Sequence, residues 1–101
     1  MIVRPDGRLV TPLAIAFTLD KVPGILRYQF IQEEPARARV RLVLGPGADW
    51  GEVRAHLDRA LRPHLGPELT VEYEREQELP LPPSGKFRSV ISKVAPPNLG
   101  G

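Results

Sequence analysis

The sequence predicts an α+β fold of the ferredoxin-like kind. That is a β-α-β-β-α-β sandwich with two helices on one face of an antiparallel sheet, its first strand supplied by an N-terminal β-hairpin. Three observations carry the prediction. Two neighbouring runs, residues 25–33 and 37–44, alternate apolar and polar side chains at the period of a strand. One segment before this pair and one after it repeat apolar residues at helical spacing instead. Clusters containing proline and glycine punctuate the joints between segments.

Ile2-Val3-Arg4 and Arg8-Leu9-Val10 flank Pro5-Asp6-Gly7, which reads as a tight hairpin with Gly7 at the positive-φ position. Thr11 then Pro12 starts a helix, a hydroxyl at the N-cap followed by proline at the first helical position. Leu13, Ala16, Phe17 and Leu19 give that helix its apolar side, and Pro23-Gly24 ends it after about Asp20. In the strand 25–33, Leu26, Tyr28 and Phe30 face one way and Arg27, Gln29 and Glu33 the other, with Ile31 out of pattern. After a turn at Glu34-Pro35-Ala36, the strand 37–44 sends Ala38, Val40, Leu42 and Leu44 inward and Arg37, Arg39 and Arg41 outward. Gly45-Pro46-Gly47 closes that strand. Asp49 caps a second helix and Glu52, three residues on, fits a capping box. Trp50, Val53, Leu57, Ala60, Leu61 and Leu65 mark its buried side, Pro63 falls in its last turn, and Gly66-Pro67 stops it. Leu69, Val71 and Tyr73 alternate with Thr70, Glu72 and Glu74, a strand with one acidic, solvated face. Val90, Ile91 and Val94 supply a short last strand. Residues 1–94 thus form one domain, followed by a frayed Pro/Gly tail at 95–101.

Composition narrows the function. A chain of 101 residues with 42% hydrophobic and 26% charged residues is an ordinary single globular domain. No apolar run approaches the roughly 20 residues of a membrane span, and the N-terminus has no leader pattern. With no cysteine there is neither a disulfide framework nor thiolate chemistry, which fits a cytoplasmic setting. A net charge of +2 is too mild to argue for nucleic acid. Tyr28, Phe30 and Tyr73 fall on the inward sets, whereas an RNA-binding sheet presents aromatics on its open face.

Residues 79–88, Leu-Pro-Leu-Pro-Pro-Ser-Gly-Lys-Phe-Arg, stand apart. Three prolines make the stretch stiff and withhold donors, so it is neither helix nor central strand. Ser84-Gly85 then frees the chain immediately before Lys86, and Arg88 follows on the same side if the stretch is extended. A braced loop that ends in a lysine can deliver one ammonium to negative charge developing on a bound phosphate or carboxylate. Other candidates have simpler readings. His56 and His64 lie eight apart on one helix and no cysteine accompanies them, so no metal site is expected. Gly85-Lys86 lacks the Ser/Thr and the first glycine of a phosphate-binding loop. Ser84 beside Lys86 has no oxyanion-hole motif with it. Arg37, Arg39 and Arg41 read as a solvated strand face or, more sharply, as a phosphate or partner surface. Glu72 and Glu74 read as a solvated face.

Three stretches match a known pattern. Ser84-Gly85-Lys86-Phe87-Arg88 resembles the last signature of the adenylate-forming enzymes, the acyl-CoA synthetase and ligase superfamily. Residues 7–15, with Gly7, Pro12 and Ile15, resemble the start of the C-terminal domain in its phenylacetate–CoA ligase branch. So do Val22-Pro23-Gly24-Ile25 and Tyr28-Gln29. The resemblance implies the C-terminal lid of an AMP-forming ligase, which turns a carboxylic acid and ATP into an acyl adenylate and passes the acyl group to the CoA thiol. It implies Lys86 as the catalytic residue, with Ser84, Gly85 and Arg88 supporting its loop. It implies Asp6, Gly7 and Arg8 as a surface facing the CoA channel. ATP, CoA and Mg2+ would then belong to the whole enzyme, and the large N-terminal domain would be the partner, in cis or in trans. The isolated chain would be an inactive monomer without nucleic acid or membrane partners. The pattern's hinge residues would precede Ile2, and Ala14 and Ala16 stand where it often has acidic residues. The alternative expectation is a free-standing ferredoxin-like module that binds a small anionic ligand or a partner protein.

Overall fold

The computed structural model describes residues 1–80 and 88–94. In chain order the elements are β1 (Ile2–Val3), β2 (Leu9–Val10), α1 (Pro12–Asp20), β3 (Ile25–Glu34), β4 (Arg37–Leu44), α2 (Trp50–Leu65), β5 (Thr70–Arg75) and β6 (Val90–Ser92). The fold is the expected α+β, ferredoxin-like sandwich of two helices on a four-stranded sheet, with the hairpin β1/β2 as a second, two-stranded sheet. The tail assigned to residues 95–101 lies outside the described residues.

The sheet runs β5-β4-β3-β6 and is mixed rather than wholly antiparallel. β3 and β4 form an antiparallel pair with Phe30 opposite Val40 and Gln29 opposite Arg41. β5 lies parallel to β4 because α2 carries the chain back between them, as a parallel pair requires. β6 lies parallel to β3, with Phe30 opposite Val90. Among the described residues the hairpin stands as its own sheet rather than joining this one, its strands of two residues each pairing Ile2 with Val10 and Val3 with Leu9.

One core explains the two layers. Phe30, Ala38, Val40 and Leu42 from the sheet meet Ile15 and Leu19 of α1 and Val53, Leu57, Leu61 and Leu65 of α2 in a single buried cluster that also takes Ile2 and Val10 from the hairpin. Both expected caps form. Thr11 Oγ1 accepts from the Ala14 amide at 3.2 Å and Asp49 Oδ1 from the Glu52 amide at 3.0 Å. Pro63 is accommodated within α2, which runs on to Leu65.

Two inward assignments differ from expectation. In α1 the buried pair is Ile15 and Leu19, whereas Leu13 and Phe17 are 62% and 55% exposed. Leu13, Ala14, Ile15, Ala16, Phe17 and Leu19 make the helix apolar almost all round, so spacing alone does not select its buried side. Leu26 is 64% exposed. The pairing shifts between Ile25 and Arg27, which leaves Leu26 as the extra residue of a bulge, and Ile25 packs against the core instead.

Candidate functional site

Strand alternation places Gln29, Ile31, Glu33, Arg39 and Arg41 on the sheet face away from the helices. A row of opposite charges crosses that face. Glu74 of β5 lies 3.7 Å from Arg39 of β4, Arg39 lies 3.2 Å from Glu33 of β3, and Lys93 after β6 lies 3.0 Å from Glu33. The hydrogen bond from Lys93, with the nearby arginines, holds the Glu33 carboxyl below the usual carboxylate range. Arg37 pairs with Glu34 at 3.6 Å and Arg41 with Glu76 at 3.4 Å. All three outward arginines therefore have carboxylate partners, which favours the solvated, self-neutralised face over a phosphate surface.

A second line of contacts runs beside the first. Arg41 Nε donates to Glu76 Oε1 at 3.4 Å and Arg41 Nη1 to Gln29 Oε1 at 3.2 Å, and Gln29 Nε2 donates to the Arg88 carbonyl at 3.2 Å. The backbone is held at the same places. The Glu76 amide donates to the Leu42 carbonyl at 2.7 Å, and the Phe30 amide donates to the Ser89 carbonyl at 2.7 Å. Leu79 is buried. The chain is thus fixed after β5 and again on entry to β6, on either side of the Pro-Gly-Lys stretch. Of the residues assigned to that stretch, Ser84, Gly85 and Lys86 lie outside the described residues. Arg88 is described and exposed, and its main chain carries the contact with Gln29.

The hairpin tip is largely committed to its own turn. Asp6 Oδ1 accepts from the Arg8 amide at 3.0 Å, and Asp6 Oδ2 accepts from Arg4 Nη2 at 2.9 Å. Gly7 has φ 87°, where a side chain would be strained. Arg8 is the group left facing out, its side chain 76% exposed and 3.8 Å from Asp6. Arg4 docks the tip on the end of α2 by donating to the His64 carbonyl at 3.3 Å.

Gln32 was not legible as a key residue. It is fully buried, its Oε1 accepting from the Val3 amide at 2.9 Å and from Ser92 Oγ at 3.0 Å while its Nε2 donates to the Val3 carbonyl. The amide imitates a strand neighbour for Val3 and joins β1, β3 and β6 at one point. The available signal was a neutral polar residue two positions beyond Phe30, in an inward slot.

On the helix layer a groove of about 500 Å³ between α1 and α2 is lined by Ala14, Phe17, Lys21, His56, Ala60 and His64, among others. Among the described residues no group of three or more His, Cys, Asp or Glu is placed to hold a metal ion. Tyr28 and Tyr73 sit on the helix side. Tyr28 donates to Asp20 at 2.9 Å and Tyr73 to Asp58 at 3.3 Å, and burial beside these carboxylates raises both phenol pKa values. No helix among the described residues is long and apolar enough to cross a membrane.

Residues 2–93 match the family described as the CapK C-terminal domain. No curated protein matches the chain. The family match corrects the resemblance to the lid of the adenylate-forming superfamily. The three stretches that carried that resemblance all lie within residues 2–93 and are assigned to this family instead. Short Gly-Lys and Pro-Gly signatures recur in unrelated loops, and a match along the domain outweighs them.

Proposed function

This chain belongs to the CapK C-terminal domain family, and we propose that it is an accessory domain that presents Lys86 to an anionic substrate held by a preceding domain. The observation that carries the reading is the fixing of the chain on both sides of the Lys86 stretch, at Glu76 by Leu42 and at Ser89 by Phe30. Lys86 lies three residues before the Ser89 anchor in the sequence, and a cation acting on developing charge needs a held scaffold of that kind. The proline brace and Gly85 point the same way. A family described as a C-terminal domain implies other domains, and the rest of the site would lie there.

The reaction we propose is AMP-forming activation of a carboxylic acid, with acyl transfer to a CoA thiol. Lys86 would sit against the carboxylate and phosphate charge of the first half-reaction, and Arg8 would face the second. ATP, Mg2+ and CoA would be bound by the preceding domain. The setting would be cytoplasmic, and the domain alone would be monomeric and inactive, with no nucleic-acid or membrane partner.

The test uses the full protein that carries this domain, with ATP and separate acetate, hexanoate, benzoate and phenylacetate. Pyrophosphate release is expected with at least one acid and is expected to fall by two orders of magnitude or more in Lys86→Ala, on the scale of losing one preorganised charge. Unchanged release in Lys86→Ala, or no release with any acid, would sink the reading.

A further inference from the structure

The groove between α1 and α2 is built from two facing ridges. Ala14, Thr18 and Lys21 follow one another along α1 and its C-cap at steps of four and three, and His56, Ala60 and His64 follow along α2 at steps of four. Together with the exposed Phe17 these residues line the space of about 500 Å³. Small side chains at Ala14, Thr18 and Ala60 make its floor. The Thr18 hydroxyl donates to the Ala14 carbonyl at 2.9 Å, so its polar atom is satisfied within the helix and the floor is apolar. The rim is different. Among the described residues lining the groove none is acidic. The side chains of Lys21, His56 and His64 make no hydrogen bond or ion pair among the described residues. The outward arginines of the sheet, by contrast, each have a carboxylate. The acids nearest to His56 along α2, Asp49 and Glu52, line a neighbouring depression that His56 shares with Pro23 and Gly24. Pro23 and Gly24 lie just beyond Lys21 in the chain, so Lys21 and His56 stand at the same end of the groove.

We propose that this groove binds a small monocarboxylate with an apolar chain, its carboxylate at Lys21 and His56 and its chain along Phe17, Ala60 and Ala14. Charge complementarity chooses the head group. Lys21 offers an uncommitted ammonium, and His56 has a ring N–H to donate in either protonation state. The apolar floor chooses the rest, since a bare inorganic anion would leave Phe17 and the alanines unused. Size chooses a small molecule over a macromolecule. The volume is that of a ligand site. Eight residues line it, against the roughly 20–30 that a protein partner covers on each side. His56 and His64 are separated by about 12 Å of helix, which sets the length of chain the groove can take. The proposal does not depend on the function given above.

The experiment is a titration of the chain with octanoate, followed by amide chemical shifts in NMR, with octanol and octylamine as probes that change only the head group. Octanoate should shift the Ala14, Thr18, Ala60 and His64 amides saturably, with a Kd of about 1 mM. Octanol should bind at least threefold more weakly, and octylamine more weakly still. Lys21→Glu should weaken octanoate at least threefold and leave octanol unchanged, on the scale of one exposed charge pair. Ala60→Leu, which fills the floor, should weaken both. Leu13→Ser removes an exposed apolar side chain of α1 outside the groove and should change neither. No saturation up to about 10 mM octanoate overturns the proposal. So do equal binding of octanoate and octanol, unaltered octanoate binding in Lys21→Glu, or shifts centred elsewhere on the chain. Shifts of the same amides on dilution without any ligand would place a second copy in the groove and overturn it as well.

Discussion

Gln32 and Gly66 show how much one side chain, or its absence, can hold. Gln32→Leu preserves volume but strands the buried Val3 N–H and C=O that the amide now satisfies. Each stranded group costs about 1–3 kcal/mol, so for the two a loss of about 2–6 kcal/mol is expected in urea denaturation. A loss below about 1 kcal/mol would mean that Val3 finds other partners. Gly66 sits at φ 81°, ψ 168°, a region open in practice only to glycine, and a Cβ there would meet Arg4 Nη2 at 2.7 Å. The guanidinium could move aside, but only by giving up the His64 carbonyl. Gly66→Ala should therefore cost about 1–3 kcal/mol by the same assay. Glu33 makes a prediction in pH. Its folded-state pKa lies below the ordinary value because Lys93 and the arginines favour the carboxylate. The unfolded chain then binds more protons in that window, so the stabilisation is complete above the ordinary value, near about 4.3, and is lost as pH falls through the lower, folded one. Acid titration of Glu33→Gln should lose stability less steeply than the parent between about pH 5 and pH 3. Identical slopes would show that the Lys93 pair has no net effect.

At the scale of elements, patterns with a strong contrast between faces could be read, and those without it could not. β4 alternates arginine with aliphatic residues, and Ala38, Val40 and Leu42 are all buried as that alternation requires. α2 opposes charged residues to leucines at helical spacing, and Val53, Leu57, Leu61 and Leu65 are buried. α1 has almost no polar face, so its orientation is decided by the sheet beneath it. Ile15→Ala should accordingly cost about 2–5 kcal/mol and Phe17→Ser less than about 0.5 kcal/mol in the chain alone. Equal losses would restore Phe17 to the core. The bulge at Leu26 and the parallel entry of β6 were hidden for another reason. Both depend on pairing with partners distant in sequence, which propensity and period do not encode. The candidate site divides along the same line. A braced lysine is visible as a local motif, whereas the hydrogen bonds of Gln29 to Arg41 and to the Arg88 carbonyl exist only once β3, β4 and β6 are side by side.

For the whole molecule the question is whether two sheets make one body. A hairpin with strands of two residues is marginal alone. Here Ile2 and Val10 enter the common core, Gln32 pairs with Val3, and Arg4 binds the end of α2. Three attachments of different chemistry leave little to gain from releasing the hairpin early. The domain should therefore unfold in one transition, with far-UV circular dichroism and the fluorescence of Trp50, the single tryptophan, giving the same urea midpoint. The sharper probe is the Val3 amide, bonded to Gln32 at 2.9 Å. Its exchange should require global unfolding, with an exchange free energy within about 1 kcal/mol of that from denaturation. In Gln32→Leu the same amide should exchange well below the global value, because the hairpin then keeps only its core contacts and Arg4. Exchange of Val3 far below the global value in the parent would mean that the hairpin opens on its own. Arg8 would then belong to a separately moving unit, and the second half-reaction proposed for that surface would need a mobile rather than a rigid partner.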